Sequence, residues 1–336
     1  MLMDFAANVA ATPLEIEAAA AAAEKDGYAG FGAAEAKHDV FTALTLAARA
    51  TERITLQSAI AVAFARNPMN VAVLANDLQR ISRGRFQLGL GSQVQAHIER
   101  RFAMPWGRPA ARMEEFVRAI RAIWHAWAGG ERLAFRGEFY KHTLMTDFFN
   151  PGPPPYGTPP VLLAAVGERM TAVAGRVADG LIVHPLTSPL YLRERTLPAL
   201  RAARDTTDLS GFSISLSVMA VLGADEAARS KAEQAVRGQI AFYGSTPAYR
   251  PVLQAHGWGE LADQLNSLSR RQAWPEMTAL ITDDVLDTFA VGGDVAAGLR
   301  SRFDGLIDRI SLYTPYDPDP AALAAVRAAM TGPVAG

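Results

Sequence analysis

Arg53-Ile54-Thr55-Leu56-Gln57-Ser58-Ala59-Ile60-Ala61-Val62-Ala63-Phe64-Ala65-Arg66-Asn67-Pro68 and, one helix later, Leu78-Gln79-Arg80-Ile81-Ser82-Arg83-Gly84-Arg85-Phe86-Gln87-Leu88-Gly89-Leu90-Gly91 carry the reading of the fold. Ile54 to Ile60 is an apolar strand. Asn67-Pro68 starts a helix that runs to about Ile81 and stops near Gly84, and Phe86 to Leu90 is a second, buried-looking strand. Two apolar strands joined by a helix describe parallel neighbours, because parallel pairing needs a crossover.

The same unit recurs in both directions along the chain. Upstream lie a short strand at Met3 to Asn8, a helix opened by the capping box Thr12-Pro13-Leu14-Glu15 and closed by Gly27, a strand at Tyr28 to Phe31, and a helix from Asp39 through Ala50. Downstream come helical spacing over Arg112 to Trp127, strands at Val161 to Ala165, Leu181 to Val183, Phe212 to Leu222 and Arg309 to Tyr313, and a helix over Tyr191 to Arg204. Eight strands alternating with helices predict an α/β chain folded as one (β/α)8 TIM barrel over residues 1–336. The open, doubly wound alternative lacks its phosphate turn, since Asn8-Val9-Ala10-Ala11 holds no glycine. Two stretches, 129–160 and 244–283, break the spacing and are rich in aromatics and turn residues. We expect them as insertions in the loops at the carboxyl ends of the strands, serving as lids or substrate walls, or else as surface packing or a subunit interface.

Composition narrows the function. Half of the 336 residues are hydrophobic and 20% are charged, which suits a large core. Lys plus Arg number 33 against 34 Asp plus Glu, so no bulk positive field exists to attract nucleic acid. The absence of cysteine removes disulfides and thiolate chemistry and fits a reducing cytoplasm. No uncharged run reaches the 18 residues of a membrane span, and the alanines at 18–23, followed by Glu24-Lys25-Asp26, read as helix interior rather than as a signal peptide. Metal, serine-nucleophile and Walker motifs are absent, so no metal site is expected.

The opening stretch, with Arg66-Asn67-Pro68 at a helix start and Ser82-Arg83-Gly84-Arg85-Phe86-Gln87-Leu88-Gly89-Leu90-Gly91 around a strand, resembles the luciferase-like monooxygenase superfamily. Glu35-Ala36-Lys37-His38-Asp39, Gly91 to Phe102 and Val166-Gly167-Glu168-Arg169-Met170 resemble its coenzyme F420-dependent branch of actinobacterial type. The resemblance implies an oxidoreductase that moves hydride between a deazaflavin and a small organic substrate. It leaves open FMN in place of F420, in a two-component monooxygenase that oxidises an apolar compound with O2. A cofactor-free barrel acting as a binding protein is the reading from another class. A homodimer, and a separate flavin or F420 reductase to supply reduced cofactor, are further implications.

The resemblance also assigns sites. A non-proline cis peptide at Ala59-Ile60 would lie against the central ring, and the small run around Ser58, Ala59 and Ala61 would let a planar ring approach the backbone; an ordinary packed strand explains the same residues. Gly91, Ser92 and Gln93 would form the rim of the fourth strand. Gly167, Glu168, Arg169 and Met170 would receive the cofactor phosphate at a helix start, where free amides and a positive helix end favour anions; a plain helix cap reads the same way. His38, in the loop after the second strand, is the candidate for proton transfer at neutral pH, although relatives with a Glu-His-His pattern differ here, and a loop histidine also serves by bonding a carbonyl. Phe64 and His184 are candidates for the substrate pocket, His184 equally for holding the Pro185 turn. His97, Arg100, Arg101 and Arg108 form a basic patch for an anionic tail or an acidic substrate, or a solvated helix face.

Overall fold

The computed structural model describes residues 1–331. Its strands are β1 (Leu2–Ala6), β2 (Gly30–Ala33), β3 (Thr55–Ser58), β4 (Phe86–Gly91), β5 (Val161–Ala165), β6 (Gly180–Val183), β7 (Ser213–Ala220) and β8 (Arg309–Tyr313). Each pairs in parallel with the next, and β8 pairs with β1, so the sheet closes on itself. The fold is the expected (β/α)8 barrel. Among the described residues no helix is long and apolar enough to cross a membrane.

Local chemistry places the elements. Thr12 caps the helix Pro13–Asp26 in a reciprocal box with Glu15, and Asp39 caps Val40–Ala50 by accepting from the Thr42 amide at 2.8 Å. The apolar faces of these helices and of Pro68–Ile81 and Pro109–Trp127 cover the barrel, burying Leu44, Leu78, Phe116 and Trp127 against strand residues such as Leu56, Phe86 and Leu88. β2 begins two residues later than Tyr28 because the Tyr28 amide still closes the preceding helix on the Ala23 carbonyl, after Gly27 turns at φ 85°. β3 ends at Ser58, short of Ile60; pairing resumes at Ala61–Val62 against Leu90 and Gly91.

The two departures from regular spacing occupy opposite ends of the barrel. Residues 129–160 follow a helix and precede β5, so they begin and end at the amino-terminal rim, not at the carboxyl ends where we expected them. Only the hairpin of Phe135–Arg136 and Lys141–His142 climbs back, its tip held where the Glu115 carboxylate accepts from the Glu138, Phe139 and Tyr140 amides. The other departure follows β7 and does lie at the carboxyl side. It is helical and wider than 244–283, spanning Glu226–Gly244 to Asp283–Phe289, because the Asp225 cap starts a helix whose Val236, Ile240 and Ala241 build a second apolar core.

The inside of the barrel is polar. Side chains alternate across each strand, and the inward column carries Asp4 joined to Arg309 at 2.6 and 2.8 Å, Gln57 to Gln87 at 3.3 Å and Ser217 to Ser311 at 2.7 Å. Burial holds the Asp4 carboxyl above its usual range despite the opposing pull of Arg309. Gly30 is required here, since a Cβ would sit 2.4 Å from Arg309 Nη2.

Candidate active site

At the carboxyl mouth the inward columns of β1 to β3 end in small residues: Ala6 above Asp4, Gly32 and Ala34 above Gly30, and Ala59 above Gln57. The Ala59-Ile60 peptide is cis. The Ala59 amide donates to the Ala33 carbonyl at 2.7 Å, and the Ile60 carbonyl accepts from the Glu35 amide at 3.1 Å. Glu35 then grips the same bulge from its side chain, accepting from the Val62 amide at 2.7 Å and from Arg66 at 2.6 and 2.7 Å. Arg66 also reaches Asp39 at 2.6 Å. Both motif residues were visible in the sequence, but nothing in their spacing shows that they form one clamp.

Ser58 is fully buried and spent on the neighbouring strand: its Oγ donates to the Gly89 carbonyl and accepts from the Gly89 amide, both at 2.9 Å. It fastens the bulge and offers nothing to a ligand, which corrects its expected role as a direct contact. Gly89 permits this approach, since a Cβ there would fall 1.9 Å from the Ser58 carbonyl oxygen. Gly91 makes room for the Ile60 side chain, 2.8 Å from its missing Cβ. Ser92 and Gln93 stay half-buried at the rim, with Gln93 in the left-handed region at φ 60°.

Gly167 opens the helix Glu168–Val177, whose first amides have no side-chain cap. Its φ is −91°, and a Cβ would meet nothing within 4 Å. Neither backbone conformation nor packing demands glycine here; the space in front of it is open. Gly167, Glu168, Arg169 and Met170 line a cleft of about 1030 Å³ together with Arg108 and Arg195. Arg195 faces Glu168 at 3.8 Å and Arg108 pairs with Glu138, while Arg169 makes no ion pair among the described residues.

The remaining candidates divide. His38 is exposed on its loop and has no hydrogen-bond partner among the described residues. Phe64 is fully buried beneath the Arg112 guanidinium, 4.4 Å from its ring centre, and against Trp106, so it presents no surface to a pocket; the turn Ala63–Ala65 folds it under the mouth. The basic patch is dispersed: Arg101 donates to the Ala36 carbonyl at 2.5 Å and Arg108 is paired, leaving His97 and Arg100 exposed.

His184 lies at the mouth. Ile182, two residues earlier in the same column, comes within 2.6 Å of the missing Gly89 Cβ on a non-neighbouring strand, a contact made through the barrel interior. His184 Nδ1 accepts from the Leu186 amide at 3.1 Å, its ring stacks on Tyr249 at 4.3 Å and meets Tyr243 edge-on at 4.6 Å. Burial pushes its pKa down to about 3, so the ring is neutral. Tyr313, the last inward residue of β8, completes the group by accepting from the Tyr243 hydroxyl at 3.3 Å. Sequence reasoning missed Tyr243 and Tyr313 as site residues; the only signals were an aromatic-rich insertion and a tyrosine ending a strand.

The luciferase-like monooxygenase family model matches residues 4–306. The chain belongs to that family and is an oxidoreductase of the luciferase-like type. An uncharacterized protein of Mycobacterium tuberculosis is 53% identical over 87% of each chain. The 5,10-methylenetetrahydromethanopterin reductase of Archaeoglobus fulgidus is 26% identical, covering 84% of this chain and 83% of its own. Among solved structures, the coenzyme F420-dependent tetrahydromethanopterin reductase of Methanopyrus kandleri superposes with a TM-score of 0.78 at 20% identity, covering 98% of this chain and 97% of its own.

Proposed function

We propose that the chain is an F420-dependent oxidoreductase acting on a small organic substrate. The observation that carries this is Gly167, a glycine demanded neither by its φ nor by its neighbours, set at uncapped helix amides beside Arg169, which makes no ion pair among the described residues. A phosphate group approaching those amides accounts for it, since a side chain there would occupy the ligand's place. The cleft also carries Arg108 and Arg195 beyond the turn, cations that suit the anionic tail of F420, which FMN lacks. The similar solved reductase of Methanopyrus kandleri, which is named as coenzyme F420-dependent, supports the same choice, whereas the family's monooxygenase description favours FMN.

The residues fit the group. Gly167, Arg169 and Met170 would hold its phosphate, Gly91 to Gln93 would edge it, and the small wall of Ala6, Gly32 and Ala59, with the Ala59-Ile60 peptide, would receive a flat ring. When bound, the deazaflavin supplies hydride chemistry that the side chains lack. The protein's part is to orient the substrate and exclude water, with His38 proposed to exchange protons with solvent at the rim.

Titrating purified protein with F420 and with FMN, followed by absorbance and intrinsic tryptophan fluorescence, tests this. Micromolar binding of F420 without binding of FMN is expected. The reverse result assigns the chain to the FMN monooxygenase reading, and binding of neither leaves the cofactor-free barrel.

A further inference from the structure

The mouth of the barrel has two unlike halves. Opposite the small wall of β1 to β3 stand His184 from β6, Tyr313 from β8, and Tyr243 and Tyr249 from the helical insertion that follows β7. In a closed ring of eight strands β7 lies across the axis from β3, so these aromatics face the cis bulge across the mouth. We propose that they are the substrate wall, that they select an uncharged carbonyl compound or its secondary alcohol, and that the Tyr313 hydroxyl bonds the substrate oxygen. This rests on the F420 reading and names its substrate class.

Three observations support it. No charged side chain is bonded to the group or stands over its rings among the described residues: it is held by ring contacts, the Tyr243–Tyr313 bond and the Leu186 amide, and burial holds His184 down and the three tyrosines up. A carboxylate or phosphate brought against it would lose water and meet no cation. The group is also rich in donors. Leu186 occupies His184 Nδ1, which places the ring proton on Nε2, and Tyr243 gives its proton to Tyr313, whose own proton has no acceptor among the described residues. The Tyr249 hydroxyl likewise has no partner among the described residues. Unfilled donors without charge call for a neutral acceptor oxygen, which a carbonyl provides. Finally, stacked rings present flat apolar faces, which suit the hydrocarbon body of a ketone.

The chemistry balances. As the carbonyl carbon gains hydride and becomes C–H, the π bond opens and its electron pair passes to oxygen. That oxygen takes the Tyr313 proton, and Tyr313 recovers one from Tyr243 and then solvent. Reduced deazaflavin is the reductant; the carbonyl is reduced to the alcohol.

The test uses the full chain without cofactor, titrated calorimetrically with acetophenone and with its anionic analogue benzoate. Acetophenone should bind, with benzoate at least about tenfold weaker, reflecting the cost of an unpaired anion. Tyr313→Phe should weaken acetophenone about fivefold, the size of one neutral hydrogen bond, and Tyr249→Ala should weaken it further by removing the stacking face. F420 affinity should be unchanged in Tyr313→Phe, while kcat for ketone reduction falls about a hundredfold, the effect of losing a general acid. Absent acetophenone binding, equal binding of benzoate, or an unaltered Tyr313→Phe overturns the proposal. Failure of the F420 reading is separate: it appears as wild-type protein that does not bind F420, whatever the acetophenone titration gives.

Discussion

Replacing Glu35 by alanine removes the carboxylate that joins the loops after β2 and β3. It accepts one bond from the Val62 amide and two from Arg66, all at 2.6 to 2.7 Å. The Glu35 and Arg66 side chains are only 7% and 15% exposed, so little water stands ready to replace the acceptor. An orphaned buried amide costs about 1–3 kcal/mol, and an unpaired buried guanidinium about 3–5 kcal/mol. Asp39 still holds Arg66 at 2.6 Å, which offsets part of the second cost, although that carboxylate is 44% exposed. The net expectation is a loss of about 2–4 kcal/mol, read as a lower urea midpoint at unchanged m. Glu35→Gln keeps an oxygen for Val62 and should lose less, about 1–2 kcal/mol. Because the clamp also sets the bulge proposed to back the ring, cofactor affinity should fall about tenfold in Glu35→Ala, as expected when a preorganised surface loosens. A stability change below about 0.5 kcal/mol, the size of an ordinary surface substitution, would refute the clamp; lost stability with unchanged cofactor affinity would refute its bearing on the site.

Four further outcomes follow from particular atoms. Gly167→Ala should leave thermal stability within about 0.5 kcal/mol, because its Cβ enters open space, yet weaken F420 binding by tenfold or so; an unaffected titration would remove the turn from the phosphate seat. Gly89→Ala should cost about 1–3 kcal/mol or more, measured by urea unfolding, since the new Cβ would collide with the Ser58 carbonyl. His184 is held down to about 3, so between that pH and its ordinary pKa the unfolded chain binds a proton that the folded chain does not. Its contribution is complete above about pH 6.5 and lost as pH falls, and wild type should lose about 2 kcal/mol more than His184→Gln between about pH 7.5 and about pH 5; parallel pH profiles would disprove the neutral buried ring. His38→Ala should keep wild-type stability, because the side chain is exposed and makes no hydrogen bond among the described residues, and should slow turnover less than Tyr313→Phe does, since its proposed exchange is with solvent and not with the substrate; unchanged turnover with cofactor bound ends its candidacy for proton exchange at the rim.

What the sequence determined by itself was the order and kind of the elements. Strand and helix periods, the Thr12 box, the Asp39 cap and the Gly27 stop are local, written within a few residues, and they were legible as a closed barrel. Tertiary structure alone decided which side chains are free to act. Ser58 is consumed by Gly89, Phe64 is buried under Arg112, and Glu35 finds Arg66 31 residues away. It also sent residues 129–160 to the amino-terminal rim and brought Tyr243 70 residues along the chain to Tyr313. Periodicity reports which face of an element is apolar. Hydrogen bonding and burial depend on what another, distant segment sets against that face, and this is settled only when the barrel closes.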